Sequence, residues 1–236
     1  MKEYLLRKSD GWNLTEYKPV ELLDTMGDDN AVCDAARVSF DKDASTYEEE
    51  KNKKLLKYLA ANDHWSPYAH AILKFRIHGP IFIARQFQKH TVGFAWNEVS
   101  RRYVDNTPWF HVPDAWRIRP ENMKQGSVVE GSDKLEGHVL YKYLDEVTKS
   151  AKLYRTMLKQ DICPEQVRML MPQSMMTSWI WTGSLYGFWR FFKLRSDSHA
   201  QYECHPYAHA VGGHMKENFP NCWEALNNAR AGSLAV

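Results

Sequence analysis

Apolar and polar positions alternate with distinct periods along the chain, and the periods predict its elements. From Tyr47 to Ala61 the spacing is helical, with Leu55, Leu56 and Leu59 on one face behind an acidic first turn. From Ala71 to His78, Leu73, Phe75 and Ile77 alternate with Lys74, Arg76 and His78, the two-residue period of a half-buried strand. Gly79-Pro80 ends that strand, and Pro80 suits the first turn of a helix running to about His90. Leu135 to Gln160 reads as a charged helix with an apolar stripe of Val139, Leu140, Tyr143, Leu144, Val147, Ala151, Tyr154 and Leu158. Helical spacing also marks Val32 to Phe40, a short helix from Pro164 to Met171, and two more over Ser184 to Leu194 and Ser198 to Asn218. Met175 to Trp181 has strand character. The predicted class is mixed α/β (α+β), helix-rich, with a central sheet and flanking helices. Asn122 to Gly137, rich in Gly, Ser and charge, reads as a surface loop, and with no internal repeat one domain over residues 1–236 is expected.

Composition narrows the classes. The 236 residues are 44% hydrophobic and 25% charged with a net charge of +2, which excludes a disordered chain and a strongly basic packaging protein. No stretch has the length and apolarity of a membrane span, and the opening MKEYLLRKSD lacks the apolar run of a signal peptide, so a cytoplasmic location is expected. Aromatic residues reach 13%, including 9 Trp, and there are 10 His, a surplus that suits both packed cores and planar, anionic ligands. Cys33, Cys163, Cys204 and Cys222 form no CxxC pair and read as reduced, buried thiols.

The chemistry concentrates in Ile81 to Tyr103. On a continuous helix Gln86, Lys89 and His90 are related as i, i+3 and i+4, placing an amide, a cation and an imidazole on one anion-binding face. An extended backbone after it aligns Glu98, Ser100 and Arg102 on one side, an acceptor, a hydroxyl and a guanidinium fork suited to a nucleotide. Each of these alone is more often a solvated surface residue; jointly, beside Phe94, Trp96 and Tyr103, they are not. Cys204, His205, His209 and His214 lack the spacing of a zinc set, so no metal is expected. Trp179, Trp181, Phe188, Trp189, Phe191 and Phe192 read as core or subunit interface, His199 as an orienting or packing residue at a helix start, and Lys51 to Lys57 as a solvated face.

These residues resemble a family. Arg85-Gln86, Lys89-His90 and Asn97-Glu98-Val99-Ser100-Arg101-Arg102-Tyr103 resemble the signature of the flavin-dependent thymidylate synthases, the ThyX family, which reads R-H-R-x7-S. Ala36 to Phe40 looks like the end of that family's first helix, and His64-Trp65-Ser66-Pro67-Tyr68-Ala69-His70 is similar to its H-x-[ST]-P-F-x-H segment. Val167 to Pro172 resembles its [VA]-R-x-x-L-P, and Leu194 to Glu203 its L-R-x-D-x-H-A-Q-x-E run. The landmarks keep the family's order from Glu21 to Ala229. This chain departs from the signature: Lys89-His90-Thr91 replaces R-H-R, and eight residues precede Ser100.

The resemblance implies conversion of dUMP to dTMP with 5,10-methylenetetrahydrofolate as carbon donor, reduced FAD as hydride donor and NADPH as reductant, in a homotetramer with active sites at subunit contacts. Carried over by position, dUMP falls to Gln86, Lys89, Glu98, Ser100, Arg101, Arg102, Arg168 and Arg195, with Arg102 and Arg168 on phosphate and Arg195 catalytic, stabilising the ionised uracil. FAD falls to Ser66, Lys89, His90, Thr91, Glu98, Ser184, Tyr186 and Arg190. Where the family has an N-x-R triplet and an asparagine this chain has Ser184-Leu185-Tyr186 and Arg190, so Arg190 is expected to replace charge lost at Thr91. No Gly-rich dinucleotide cradle occurs, and no enzyme thiol is required. Hydroxymethylation of dUMP or dCMP is the rival chemistry; a catalytically dead dUMP-binding relative and a nucleic-acid-binding module remain open, the last ranking well below.

Overall fold

A computed structural model describes residues 5–6, 18–121, 126–128 and 136–229. Strand β1 (Leu5–Leu6) pairs in parallel with β5 (Phe110–His111). The main sheet is antiparallel, in the order β2 (Val20–Met26), β3 (Ile72–Pro80), β6 (Met176–Ser184), β4 (Phe94–Glu98). The alternation read in the sequence sets β3: Leu73, Phe75 and Ile77 are fully buried, with Phe75 opposite Trp181 and Ile77 opposite Trp179 on β6. Strand β4 pairs with β6 because Gly183 has no side chain; a Cβ there would lie 2.3 Å from the ring of Phe94, which faces it.

Eight α-helices lie among the described residues: α1 (Asp29–Arg37), α2 (Glu49–Ala61), α3 (Ile81–Phe87), α4 (Glu136–Lys159), α5 (Pro164–Val167), α6 (Leu185–Arg195), α7 (His205–Asn218) and α8 (Pro220–Asn228). The α/β, helix-rich class is as expected. The predicted aromatic cluster forms the core: Trp179, Trp181, Phe188 and Phe191 are buried with Phe75 and Phe87. Their rings meet edge to face, Phe87 on Phe191 at 4.8 Å and Trp181 on Phe188 at 5.1 Å. Truncating any one of them to alanine costs about 3–5 kcal/mol. The stripe on α4 builds a second, smaller core from Val147, Ala151, Phe110, Val112 and Met175, and α4 packs on α5 and the turn at Arg168–Leu170.

Several boundaries differ from the expectations. The first helix gives way to a 3-10 turn at Val38–Phe40, and the helix from Pro164 becomes one at Arg168–Leu170. Strand β2 and helix α8 were not predicted. Helix α3 stops at Phe87 rather than near His90, and residues 196–201 are not helical, so α7 starts at His205 and His199 sits at no helix start. Cys33, Cys204 and Cys222 are buried as expected; Cys163 is exposed. Most of the predicted loop 122–137 lies outside the described residues. No described helix is long and apolar enough to cross a membrane.

Candidate active site

The first cluster forms where the C-terminal ends of α3 and α6 meet. Pro80 opens α3, Gln86 lies in its last turn, and the chain then folds back so that the His90 N–H donates to the Phe87 carbonyl at 2.9 Å. Lys89 and His90 therefore follow the helix rather than extend its face. Ser184 caps α6, accepting from the Gly187 N–H at 3.1 Å, and Arg195 closes that helix, where a cation is favoured. Arg195 donates from Nε to His90 Nε2 at 3.1 Å and from Nη2 to the Gln86 carbonyl at 3.4 Å. The Cys204 thiol donates to Gln86 Oε1, and Gln86 Nε2 reaches Gln201 Oε1 at 3.5 Å. Burial, with the neighbouring Arg195 and Arg190 guanidiniums, pushes His90 down to about 4, so its ring is neutral at physiological pH.

Gln86 and Arg195 line a cleft of about 490 Å³ with Arg117, Ser127, Gln201 and Tyr202. Arg117 also lines it: it pairs with Glu203, both side chains only 16% exposed, donates from Nε to Ser127 Oγ at 2.6 Å and lies 4.7 Å over the Tyr202 ring. Burial pushes the Glu203 carboxyl up, but hydrogen bonds from Arg117 and Gln201 outweigh it and hold the group below its ordinary range. Both guanidiniums, of Arg117 and Arg195, thus line the cleft, the first paired with a carboxylate and the second with neutral partners.

A second cleft, of about 510 Å³, shares no lining residue with the first and gathers Glu98, Ser100, Arg101, Arg102, Arg168 and Thr177. The extended backbone expected through Arg102 ends at Glu98. Beyond it the Tyr103 and Val104 N–H groups donate to the Ser100 carbonyl at 3.0 and 3.1 Å, making a turn, so the shared placement of Glu98, Ser100 and Arg102 comes from a turn and not from strand alternation. Glu98 is held at both oxygens, by the Thr177 hydroxyl at 2.9 Å and the Trp96 indole N–H at 3.3 Å. Arg101 is tied back to Asn106 Oδ1 at 2.8 Å. Arg102 stands 3.8 Å from the Glu165 carboxylate, and Arg168 Nε donates to the Glu165 carbonyl at 3.3 Å, so two exposed guanidiniums lie against the same residue.

The remaining predicted residues lie apart from both clefts. Lys89 and Thr91 are exposed beyond α3, and Ser66 is exposed in a 3-10 turn, Ser66–Ala69. The Tyr186 hydroxyl donates to Asp63 Oδ1 at 3.2 Å, and its ring lies between Trp65 and Trp189, 6.0 and 5.5 Å away. Arg190 is exposed and acts on both His90 and Tyr186: at His90 it adds to burial and Arg195 in lowering the pKa, while at Tyr186 it opposes burial and Asp63, which together raise it. His205 and His209 are 6.4 Å apart ring to ring, and no group of three metal-ligating side chains occurs among the described residues.

The family model described as thymidylate synthase complementing protein matches residues 21–221. The chain belongs to that family, ThyX. It is 37% identical over 216 residues to the flavin-dependent thymidylate synthase of Kosmotoga olearia, covering 91% of this chain and 93% of that one. It is 35% identical over 216 residues to the flavin-dependent thymidylate synthase of Thermosipho africanus, covering 89% and 93%. Among solved structures, the UMP/dUMP methylase PolB of Streptomyces cacaoi, bound with 5-Br dUMP, superposes with a TM-score of 0.80 at 29% identity, covering 88% of this chain and 94% of that one.

The residues the sequence reading assigns to FAD are, in chemical type, donors suited to a diphosphate. Arg190 supplies a guanidinium beside His90, Lys89 an exposed ammonium, and Ser66 and Thr91 exposed hydroxyls. The sequence reading missed the partners that orient the ThyX residues: Cys204 under Gln86, and Thr177 and Trp96 on Glu98. The alternation along β6 puts Thr177 on the face of Trp179 and Trp181, which was the available signal.

Proposed function

We propose that this chain is a flavin-dependent thymidylate synthase, converting dUMP to dTMP with the carbon of 5,10-methylenetetrahydrofolate. Ser66, Lys89, Thr91, Glu98, Ser184, Tyr186 and Arg190, with His90 at the junction, would hold FAD, which when bound and reduced would supply hydride, with NADPH as the reductant. The observation that carries the reading is the Arg195 guanidinium, fixed on one edge by His90 and Gln86 and open to a cleft on the other. A cation held in that way stabilises the negative charge that builds on a uracil ring as its C5 becomes nucleophilic. Gln86 orients the base, Lys89 and Arg101 add positive charge, and Ser100, Arg102 and Arg168 hold the phosphate as charge-assisted donors. Glu98, anchored by Thr177 and Trp96, accepts from the nucleotide or the flavin.

The thiols support chemistry without a covalent enzyme nucleophile. Burial pushes Cys33 and Cys204 up to about 11, and burial likewise raises Cys222, so all three stay protonated and unreactive at neutral pH. One catalytic unit spans about residues 21–229. The split of the dUMP residues between two clefts supports a homotetramer in which one subunit's Arg195 cleft faces another's Arg102–Arg168 cleft. A second reading, methylation of UMP by the same steps, is favoured by the likeness to PolB.

The test is an anaerobic turnover with reduced FAD, 5,10-methylenetetrahydrofolate and either dUMP or UMP, read by mass spectrometry. The expected product is dTMP, formed from dUMP in preference to UMP. A hydroxymethyl nucleotide, or preferential methylation of UMP, replaces the reading with one of its rivals.

A further inference from the structure

His90 stands, by its position in the signature, among the flavin contacts, yet its best acceptor atom is already occupied. Nε2 receives the Arg195 Nε–H at 3.1 Å. The ring is edge-on to Phe191 at 5.3 Å and to Trp181 at 6.4 Å, two of the buried rings of the core, so its plane is set by packing on one side and by Arg195 on the other. Its backbone N–H is held by Phe87 at 2.9 Å. An imidazole accepting at Nε2 is in the Nδ1–H tautomer, and two guanidiniums nearby disfavour the imidazolium that would remove this acceptor. Arg195 for its part spends Nε on His90 and one Nη2 hydrogen on the Gln86 carbonyl, which leaves its Nη1 edge and the other Nη2 hydrogen to the cleft it lines.

We propose that His90 is the positioning residue for Arg195, holding the guanidinium by its Nε so that the Nη edge is presented in one orientation to the pyrimidine. The inference rests on the thymidylate synthase reading for what Arg195 meets, and on the hydrogen bonds and ring packing alone for what holds it. An arginine with several rotatable bonds samples many orientations unless its head is anchored, and orientation of a charge-stabilising group acts on the transition state more than on binding. His90 thus acts on turnover through Arg195 and not through retention of the flavin.

Four variants test this: His90→Leu, His90→Gln, His90→Asn and Arg195→Ala, with the double variant His90→Leu/Arg195→Ala. Flavin per protomer, dUMP dissociation constant, and kcat and KM for dTMP formation are measured on each. His90→Leu is expected to lower kcat by about tenfold or more with KM for dUMP changed less, while flavin content stays within about twofold. His90→Gln places its amide oxygen close to the lost Nε2 and recovers most of the loss; the shorter His90→Asn does not. The double variant is expected to be no slower than Arg195→Ala, as required of two residues acting through one group. Loss of flavin in parallel with activity, equal behaviour of the Gln and Asn variants, or losses that multiply in the double variant would each overturn the proposal. Should His90→Leu fail to fold, the Gln and Asn pair decides it. Wild-type protein that binds dUMP but forms no dTMP sinks the thymidylate reading instead, and the dUMP dissociation constants across the same variants then judge His90.

Discussion

A guanidinium and an ammonium differ as phosphate ligands, since the first offers a planar fork and the second a point charge, and Thr91 offers no charge at all. The stretch Lys89-His90-Thr91 therefore leaves a deficit on the flavin side that Arg190 is proposed to fill, five residues before Arg195 on α6 and near enough to His90 and Tyr186 to act downward on the pKa of each. Arg190→Ala is expected to weaken FAD retention by about tenfold, the worth of one charge-assisted phosphate contact, and Arg190→Lys to restore part of it. Flavin absorbance of the purified variants checks this, and unchanged occupancy in the alanine variant contradicts it. At this scale the sequence marked out Gln86 and Arg195, which line one cleft, and Glu98, Arg102 and Arg168, which line the other, because residue type and order single them out. Their orienting partners were not: Cys204 lies 118 residues from Gln86 and Thr177 79 from Glu98, and only the tertiary fold brings such pairs together.

Helices and strands were legible where one period dominated. Strand β3 and helix α4 kept a clean pattern and were found. Strand β2, Val-Glu-Leu-Leu-Asp-Thr-Met, did not, because a register shift between Leu22 and Asp24 breaks its alternation. Helix α3 stops early although Gln88, Lys89 and His90 are ordinary helix residues; burying the imidazole against Phe191 and Trp181 overrides their propensity. Helix α8 was missed because its N-terminus is capped from elsewhere. Asp29, in the first turn of α1, accepts from the Asn221 and Cys222 N–H groups at 2.9 Å each, a cap supplied from 192 residues away. Asp29→Ala is expected to cost about 1–2 kcal/mol, roughly 2–8 °C in Tm for a chain of this length. Amide exchange in α8 faster than in α4 of the same variant localises the effect, and an unchanged Tm would falsify the capping role.

At the scale of the whole molecule the residues proposed for dUMP divide between two clefts. Gln86 and Arg195, proposed for the base, line one; Ser100, Arg102 and Arg168, proposed for the phosphate, line the other; and no lining residue is common to both. The proposed homotetramer would bring the two sets together across a subunit contact, with one copy's Arg195 cleft and another's Arg102–Arg168 cleft forming one site. The consequence is sharp in mixtures. Arg195→Ala and Arg168→Ala subunits are each expected to be nearly inactive alone, since each damages every site. Mixed and allowed to exchange, they form some sites that draw Arg195 from one parent and Arg168 from the other, both intact, and activity rises well above that of either parent. Steady-state dTMP formation before and after subunit exchange measures this, with native mass spectrometry following the mixed assemblies. If mixed assemblies form and activity stays at the parental level, both arginines serve a site within one chain and the shared-wall arrangement is wrong.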